Sequence, residues 1–177
     1  MSRKIFAAVL IFLSMATGCA TLSGSEVGEK ATPLITQSFA SKEVKTGETW
    51  KIYLKVSDPD GEMKNIYAVV DQPGVGQYPL CIIKVKPENR KELSGYIYLS
   101  TATPVSPLNF INLWMIIHVQ DRSGNFSQPA VFPLSINNRS TQEVPPEGVF
   151  KEEALGPVMV VLRTIQGGGS GDGGFGN

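Results

Sequence analysis

Cysteine and histidine are almost missing from this sequence: Cys19, Cys81 and His118 are all that 177 residues contain. Without a second histidine or a cysteine cluster, a zinc site has no ligand set. No G-x-S-x-G occurs, and no serine has the context of a nucleophile elbow. His118 sits in the middle of a long apolar run, which suits a satisfied sheet histidine better than a general base. Charge of one sign is lacking too, with 16 basic and 16 acidic residues. That balance gives no electrostatic case for nucleic acid or for an anionic membrane surface. No apolar run reaches the ~20 residues of a membrane-spanning helix. A helical period is absent between residues 33 and 138.

What is present begins at the N-terminus. Arg3 and Lys4 precede an apolar run from Ile5 to Met15, and small residues then lead to Cys19. This is the layout of a secretory signal, over residues 1–18. The ending Ala16-Thr17-Gly18-Cys19 resembles the lipobox of bacterial lipoproteins, departing from it where Ala16 stands in place of the usual leucine. The resemblance implies cleavage before Cys19, a diacylglycerol thioether on its sulfur and acylation of the new amine. Several acyl chains at ~0.8 kcal/mol per methylene hold a domain on a membrane almost irreversibly. Ala20 follows the cysteine where an inner-membrane retention signal has aspartate, so the resemblance implies the outer membrane, on its periplasmic or outer face.

Without Arg3 and Lys4 the remaining chain has 14 basic and 16 acidic residues, a net charge of −2. About 159 residues suit one domain with tails. Cys81 is then the single thiol, expected as a small buried hydrophobe within LCIIKV. Residues 19–32 are small and polar and read as a tether. Beyond them, Trp50, Ile52, Leu54 and Val56 alternate with polar neighbours, as a half-buried strand requires. Similar strands are expected near Leu34–Phe39, Ile66–Asp71, Leu80–Val85, Gly95–Ser100, Asn112–Gln120 and Ala130–Ile136. The run Asn112–Gln120 is apolar on both faces, which predicts a central strand covered on both sides. Pro129 and Pro133 cannot donate to a ladder, so the last strand is expected at an edge.

Seven short strands separated by turn signals predict an all-β, two-sheet antiparallel sandwich over residues 33–138, with an up-and-down barrel as the other fold. The stretches VSDPDGEMKNIYAVV and IIHVQDRSGNFSQPAVFPLSI resemble bacterial immunoglobulin-like domains of the cadherin-like and PKD-like kind. The chain lacks the disulfide and third-strand tryptophan of antibody domains. Residues 139–148 are a linker stiffened by Pro145-Pro146. Residues 149–166 form an accessory segment, expected as a helical turn near Phe150–Leu155 and a strand from Val158 to Ile165. Residues 167–177 are a glycine-rich tail, expected to be flexible.

Three groups of residues are candidates for a site. In an immunoglobulin-like topology the SDPDGE and QDRSGN turns share one end, which would gather Asp58, Asp60, Glu62, Asp121 and Asn125. Calcium takes six to eight oxygens, and these side chains with backbone and water would supply them. Turn chemistry accounts for the same residues: Asp58-Pro59 starts a turn, Asp60-Gly61 supplies positive φ, and Asp121 and Asn125 cap their own loop. The second group is Tyr67, Tyr78, Tyr96, Tyr98 and Trp114, a carbohydrate- or protein-binding platform or simply sheet cover. The third is Val158, Val160 and Leu162. An uncovered VMVVL invites pairing, so it must either dock on its own sandwich or meet another chain.

These features together imply no enzyme and no cofactor beyond calcium. They point to a lipid-anchored envelope protein with a non-catalytic binding or scaffolding domain whose partner is another envelope protein. The alternative is an assembly subunit of an outer-membrane complex, held by residues 149–166. A hydrolytic or carbohydrate-active enzyme is a third reading, with no acid pair singled out for it.

Overall fold

The computed structural model describes residues 31–102 and 110–164. The signal segment, Cys19, most of the tether and the glycine tail therefore lie outside the described residues. Ten strands appear in chain order: β1 (Leu34–Ala40), β2 (Glu43–Val44), β3 (Thr49–Ser57), β4 (Met63–Gln72), β5 (Gly76–Gln77), β6 (Cys81–Lys84), β7 (Glu92–Ser100), β8 (Ile111–Asp121), β9 (Ala130–Ile136) and β10 (Ala154–Pro157). All seven expected strands are among them, together with three short ones. A single 3-10 turn at Pro87–Asn89 interrupts the β pattern.

The strands form two sheets. The first has the order β1-β3-β7-β10; the second runs β2-β9-β8-β4-β5, with β6 also paired to β4. This is an immunoglobulin-like sandwich. Between them the alternating side chains meet: Trp50, Ile52, Leu54 and Ile97 from the first sheet, Leu113, Met115, Ile117 and Val119 from the second. The Trp50 indole also donates to the Ser41 carbonyl at 2.8 Å, so its polar edge is satisfied inside the core. Just there the chain changes sheets, β1 pairing with β3 and β2 with β9.

Two pairings depart from the antiparallel expectation: β2 runs parallel to β9, and β10 parallel to β7. Both bring together segments far apart in sequence, which parallel pairing permits and a hairpin cannot supply. In the constant-type immunoglobulin order a fourth strand flanks the one that corresponds to β7. Here the C-terminal segment occupies that edge. Gly95 makes the approach possible, since a Cβ on it would lie 2.5 Å from the Glu153 carbonyl oxygen.

The helical turn expected at Phe150–Leu155 is not formed. Tyr96 N–H donates to the Glu153 carbonyl at 2.8 Å, and Val158 N–H to the Tyr98 carbonyl at 2.7 Å. Pairing with β7 overrides the local preference for helix. The strand expected from Val158 to Ile165 is not formed: β10 ends at Pro157, residues 158–164 continue as irregular chain, and Ile165 lies outside the described residues. Residues 139–164 are thus continuous with the sandwich rather than appended to it: Val158 and Leu162 enter the same core. A closed set of hydrogen bonds fixes the end of the segment. The Gln72 amide donates to the Arg163 carbonyl at 2.7 Å, Tyr78 hydroxyl donates to the Gln72 carbonyl at 2.6 Å, and Arg163 N–H donates to that hydroxyl at 2.8 Å.

The position of β9 explains Pro133. Ser135 N–H donates to the Lys42 carbonyl beside β2. Two residues earlier, Pro133 faces the same edge, where β2 no longer reaches because it pairs with Ser135 and Ile136 alone.

Candidate interaction surface

The two aspartate turns do meet. Arg122 N–H donates to the Glu62 carbonyl at 3.0 Å, and Ser123 hydroxyl donates to the Glu62 carboxylate at 3.4 Å. Each of their carboxylates has hydrogen-bond donors of its own. Asp58 is buried, one oxygen accepting Asp60 N–H at 3.1 Å and the other Glu62 N–H at 3.0 Å. Asp121 is buried as well, accepting Asn125 N–H at 2.8 Å and the Asn125 amide at 2.9 Å. Asp60 turns to the N-terminal side and accepts Ala31 N–H at 2.9 Å. Among the described residues no three His, Cys, Asp or Glu side chains converge as metal ligands. Asp58 and Asp121 give their oxygens to N–H donors of their own turns, whereas Asp60 accepts from Ala31 and Glu62 from Ser123, so turn chemistry accounts for the buried pair without an ion.

The aromatic set divides between three places. Tyr78 is buried in the Gln72 network. Tyr96 and Tyr98 lie on the outer face of the first sheet, and Tyr67 and Trp114 on that of the second. The first face carries its own cover. Phe150 packs on Tyr53 with ring centroids 5.6 Å apart, and Tyr96 lies 5.4 Å from Tyr53 on its other flank. Lys51 Nζ stands 4.3 Å above the Tyr96 ring. Glu152 joins the group, accepting from Tyr53 hydroxyl at 2.7 Å and from Lys51 Nζ at 3.0 Å. The Tyr53 hydroxyl and then the Lys51 ammonium hold the Glu152 carboxyl below its ordinary range. Burial, followed by the bond to Glu152, pushes the Tyr53 phenol up.

The C-terminal segment places its expected partner contacts inward. Val158 and Leu162 are core residues and Val160 packs against the core, because the segment must cover the open edge between β7 and β6. Met159 and Val161 are the outward side chains, 78% and 68% exposed. They border a cleft of about 340 Å³ that Tyr98 and Ser100 also line. Cys81 is half-buried at this joint rather than sunk in the core. Its sulfur accepts Met159 N–H at 3.4 Å and donates to the Pro157 carbonyl at 3.5 Å.

The outer face of the second sheet is different. Strand β8 was expected to be covered on both sides, but nothing among the described residues covers its outer side. Cross-strand register arranges that face in rows. Lys84, Asn65 and Gln120 form a polar row at the end nearest the aspartate turns. Next come Ile82, Tyr67 and His118, then Val69, Ile116 and Val131, then Asp71, Trp114 and Pro133. Asn112 and Ser135 end the face with a second polar row. Phe126 closes one side, its ring 5.4 Å from Tyr67 and edge-on to His118 at 6.2 Å. Val131 is 54% exposed, Ile82 53%, Phe126 47% and Trp114 44%.

His118 is explained by this arrangement. Its Nδ1 lies 3.3 Å from the Ser127 carbonyl, and the ring is part of the face rather than of an acid–base pair. The sequence reading named Trp114 but missed Ile82, Phe126 and Val131. The signal was present in the alternation: both faces of β8 are apolar, while only one can point between the sheets.

No protein-family model matches the chain, and no curated protein sequence matches it. Among solved structures it is similar to the PKD domain of an M14-like peptidase from a Thermoplasmatales archaeon. That match has 10% identity and a TM-score of 0.33, and covers 61% of this chain and 98% of the other. It is also similar to a CARDB domain from Pyrococcus furiosus, solved in complex with di-metal ions. There the identity is 12% and the TM-score 0.31, with 60% of this chain and 91% of the other covered.

Proposed function

We propose that this chain is a lipid-anchored, non-catalytic binding or scaffolding module of the cell envelope. It meets a protein partner through the outer face of the second sheet. The observation that carries the reading is the half-exposed set Ile82, Val131 and Trp114, one in each of three adjacent rows, on a face bounded at both ends by polar rows. An apolar centre inside a polar rim, with aromatic side chains among the apolar ones, is the anatomy of a protein interface. Large apolar side chains scattered singly would need no partner, whereas contiguous ones on a regular surface mark an interaction site.

The anchor rests on the lipobox resemblance at Cys19. It predicts a mature N-terminus at Cys19 carrying diacylglycerol, read by mass spectrometry, and release from the membrane in Cys19→Ser. A pull-down of the full chain from native membranes tests the binding role. A stoichiometric envelope complex that is lost in Trp114→Glu supports it; recovery of the chain alone in both forms contradicts it.

A second reading is favoured by Met159 and Val161, which point outward beside the cleft along Tyr98. In it the chain is an assembly subunit held through residues 149–166. Deleting that segment cannot separate the readings, because it also removes Val158 and Leu162 from the core. The double variant Met159→Glu with Val161→Glu leaves the core intact. Loss of the complex in that variant and its retention in Trp114→Glu would favour assembly through the C-terminal segment.

A further inference from the structure

We infer that the occupant of the second sheet's outer face is a second copy of this chain, packed face to face in the same membrane. This rests on the binding-module reading and deepens it. Three observations are compatible with a second copy on the same membrane. The first is where the chain enters the domain. Ala31 is bonded to Asp60 at the aspartate-turn end, which is the end of the Lys84–Asn65–Gln120 row. If Cys19 carries lipid, eleven residues lie between it and Ala31, twelve Cα steps with a reach of at most about 40 Å. A copy standing with that row toward the membrane and the Asn112–Ser135 row away from it turns the apolar face sideways along the membrane.

The second observation is charge. Two copies on one membrane share their up-down orientation, so the symmetry axis relating them runs parallel to the strands. That axis keeps each row facing itself and reverses the strand order within it. Val69 then faces Ile116, Tyr67 faces His118, and Asp71 faces Trp114. Asp71 and Lys84 lie in different rows, and Lys84 falls opposite the Gln120 side. The charges of these rows, Asp71, Lys84 and Glu43 beside Ser135, thus meet no like charge, whose juxtaposition would oppose packing.

The third is size. Four strands ~4.8 Å apart and five rows ~6.8 Å apart present on the order of 500 Å² per copy. A stable dimer between free proteins needs about 800 Å² per partner. The face is therefore suited to copies already concentrated by a shared membrane, where the second contact is effectively intramolecular.

The test places a photo-crosslinking amino acid at position 131 of the full chain and irradiates native membranes. The expected product is a covalent dimer at twice the chain mass, whose joined peptides come from β6 and β4. A companion measurement is sedimentation of the detergent-solubilised full chain under reducing conditions. It should show a dimer fraction that rises with concentration, at least a tenfold weaker dimer in Val131→Glu, and an unchanged melting temperature. Crosslinks that reach only a different protein would overturn the second copy and keep the binding role. No crosslink to any protein, with a monomer at all concentrations, would overturn both. A dimer that persists unchanged in Val131→Glu would overturn this face as its seat.

Discussion

The two outer faces of this sandwich look alike in sequence and differ in what lies on them. The first sheet turns Tyr53, Tyr96 and Tyr98 outward, and the second turns out Tyr67, Ile116 and Trp114. On the first, the chain's own segment 150–153 lays Phe150 and Glu152 over Tyr53 and Lys51, and β10 seals the edge beside β7. On the second there is no such cover among the described residues, and Ile82, Trp114 and Val131 stay half exposed. A stripe of aromatic and aliphatic residues is therefore structural or available according to whether the chain itself comes back to cover it. The contrast separates the stability supplied by the covered face and its edge from the recognition proposed for the bare one.

The largest break in that contrast is to remove the cover. A chain ending at Asn138 loses Val158 and Leu162 from the core. Burying a Val or Leu side chain contributes roughly 1.5–3 kcal/mol, so the loss should be about 4 kcal/mol. Urea denaturation should show it, with the melting temperature falling by about 10 °C. A truncated chain of equal stability would mean that the segment is not part of the sandwich.

A narrower break uses neighbouring residues of the same segment. Leu162→Ala should cost about 2–4 kcal/mol, because it opens a cavity in a packed core. Val161→Ala, one residue away and outward, should stay within about 0.5 kcal/mol. Equal costs at the two positions would show that the inward and outward assignments are wrong.

The polar part of the cover responds to acid. The Glu152 carboxyl is held below its ordinary value of 4.5 in the folded chain. Its contribution is therefore present above that value and is lost as pH falls through the lower, folded one. Glu152 is 62% exposed, so solvent screening keeps the effect below about 1 kcal/mol. In Glu152→Gln the stability difference from the unaltered chain should shrink between pH 6 and pH 3. A difference that is independent of pH would remove the ion pair from the account.

The smallest effect is expected at the bare face. Trp114→Ala should leave the unfolding free energy within about 0.5 kcal/mol, although it deletes the largest side chain of the sheet's outer side. A loss of several kcal/mol would show that Trp114 is core after all.

Much of this was legible in the sequence, and the parts that were not share a cause. The seven main strands follow from period-two alternation, which the backbone of a half-buried strand imposes locally. The meeting of the SDPDGE and QDRSGN turns follows from topology once the sandwich is inferred. That Asp58 and Asp121 spend their oxygens on their own turns could be weighed against calcium but not decided, since both need the same residues in the same places. The cover was not legible. Phe150–Leu155 has no strand alternation, and its pairing with β7 is set by a partner more than fifty residues away. For the same reason β8 could be recognised as apolar on both faces, yet only the second sheet's position at the outside of the fold shows which face stays open.

The central claim is that the outer face of the second sheet is in contact with protein when the chain is in its membrane. Oxidative footprinting compares the intact envelope with the purified chain at high dilution, and Trp114 is the position to read. Its neighbour in kind, Trp50, is buried in both states and serves as the internal reference. The expected result is labelling of Trp114 reduced at least threefold in the envelope, with Trp50 unchanged. Equal labelling of Trp114 in the two states would contradict the claim.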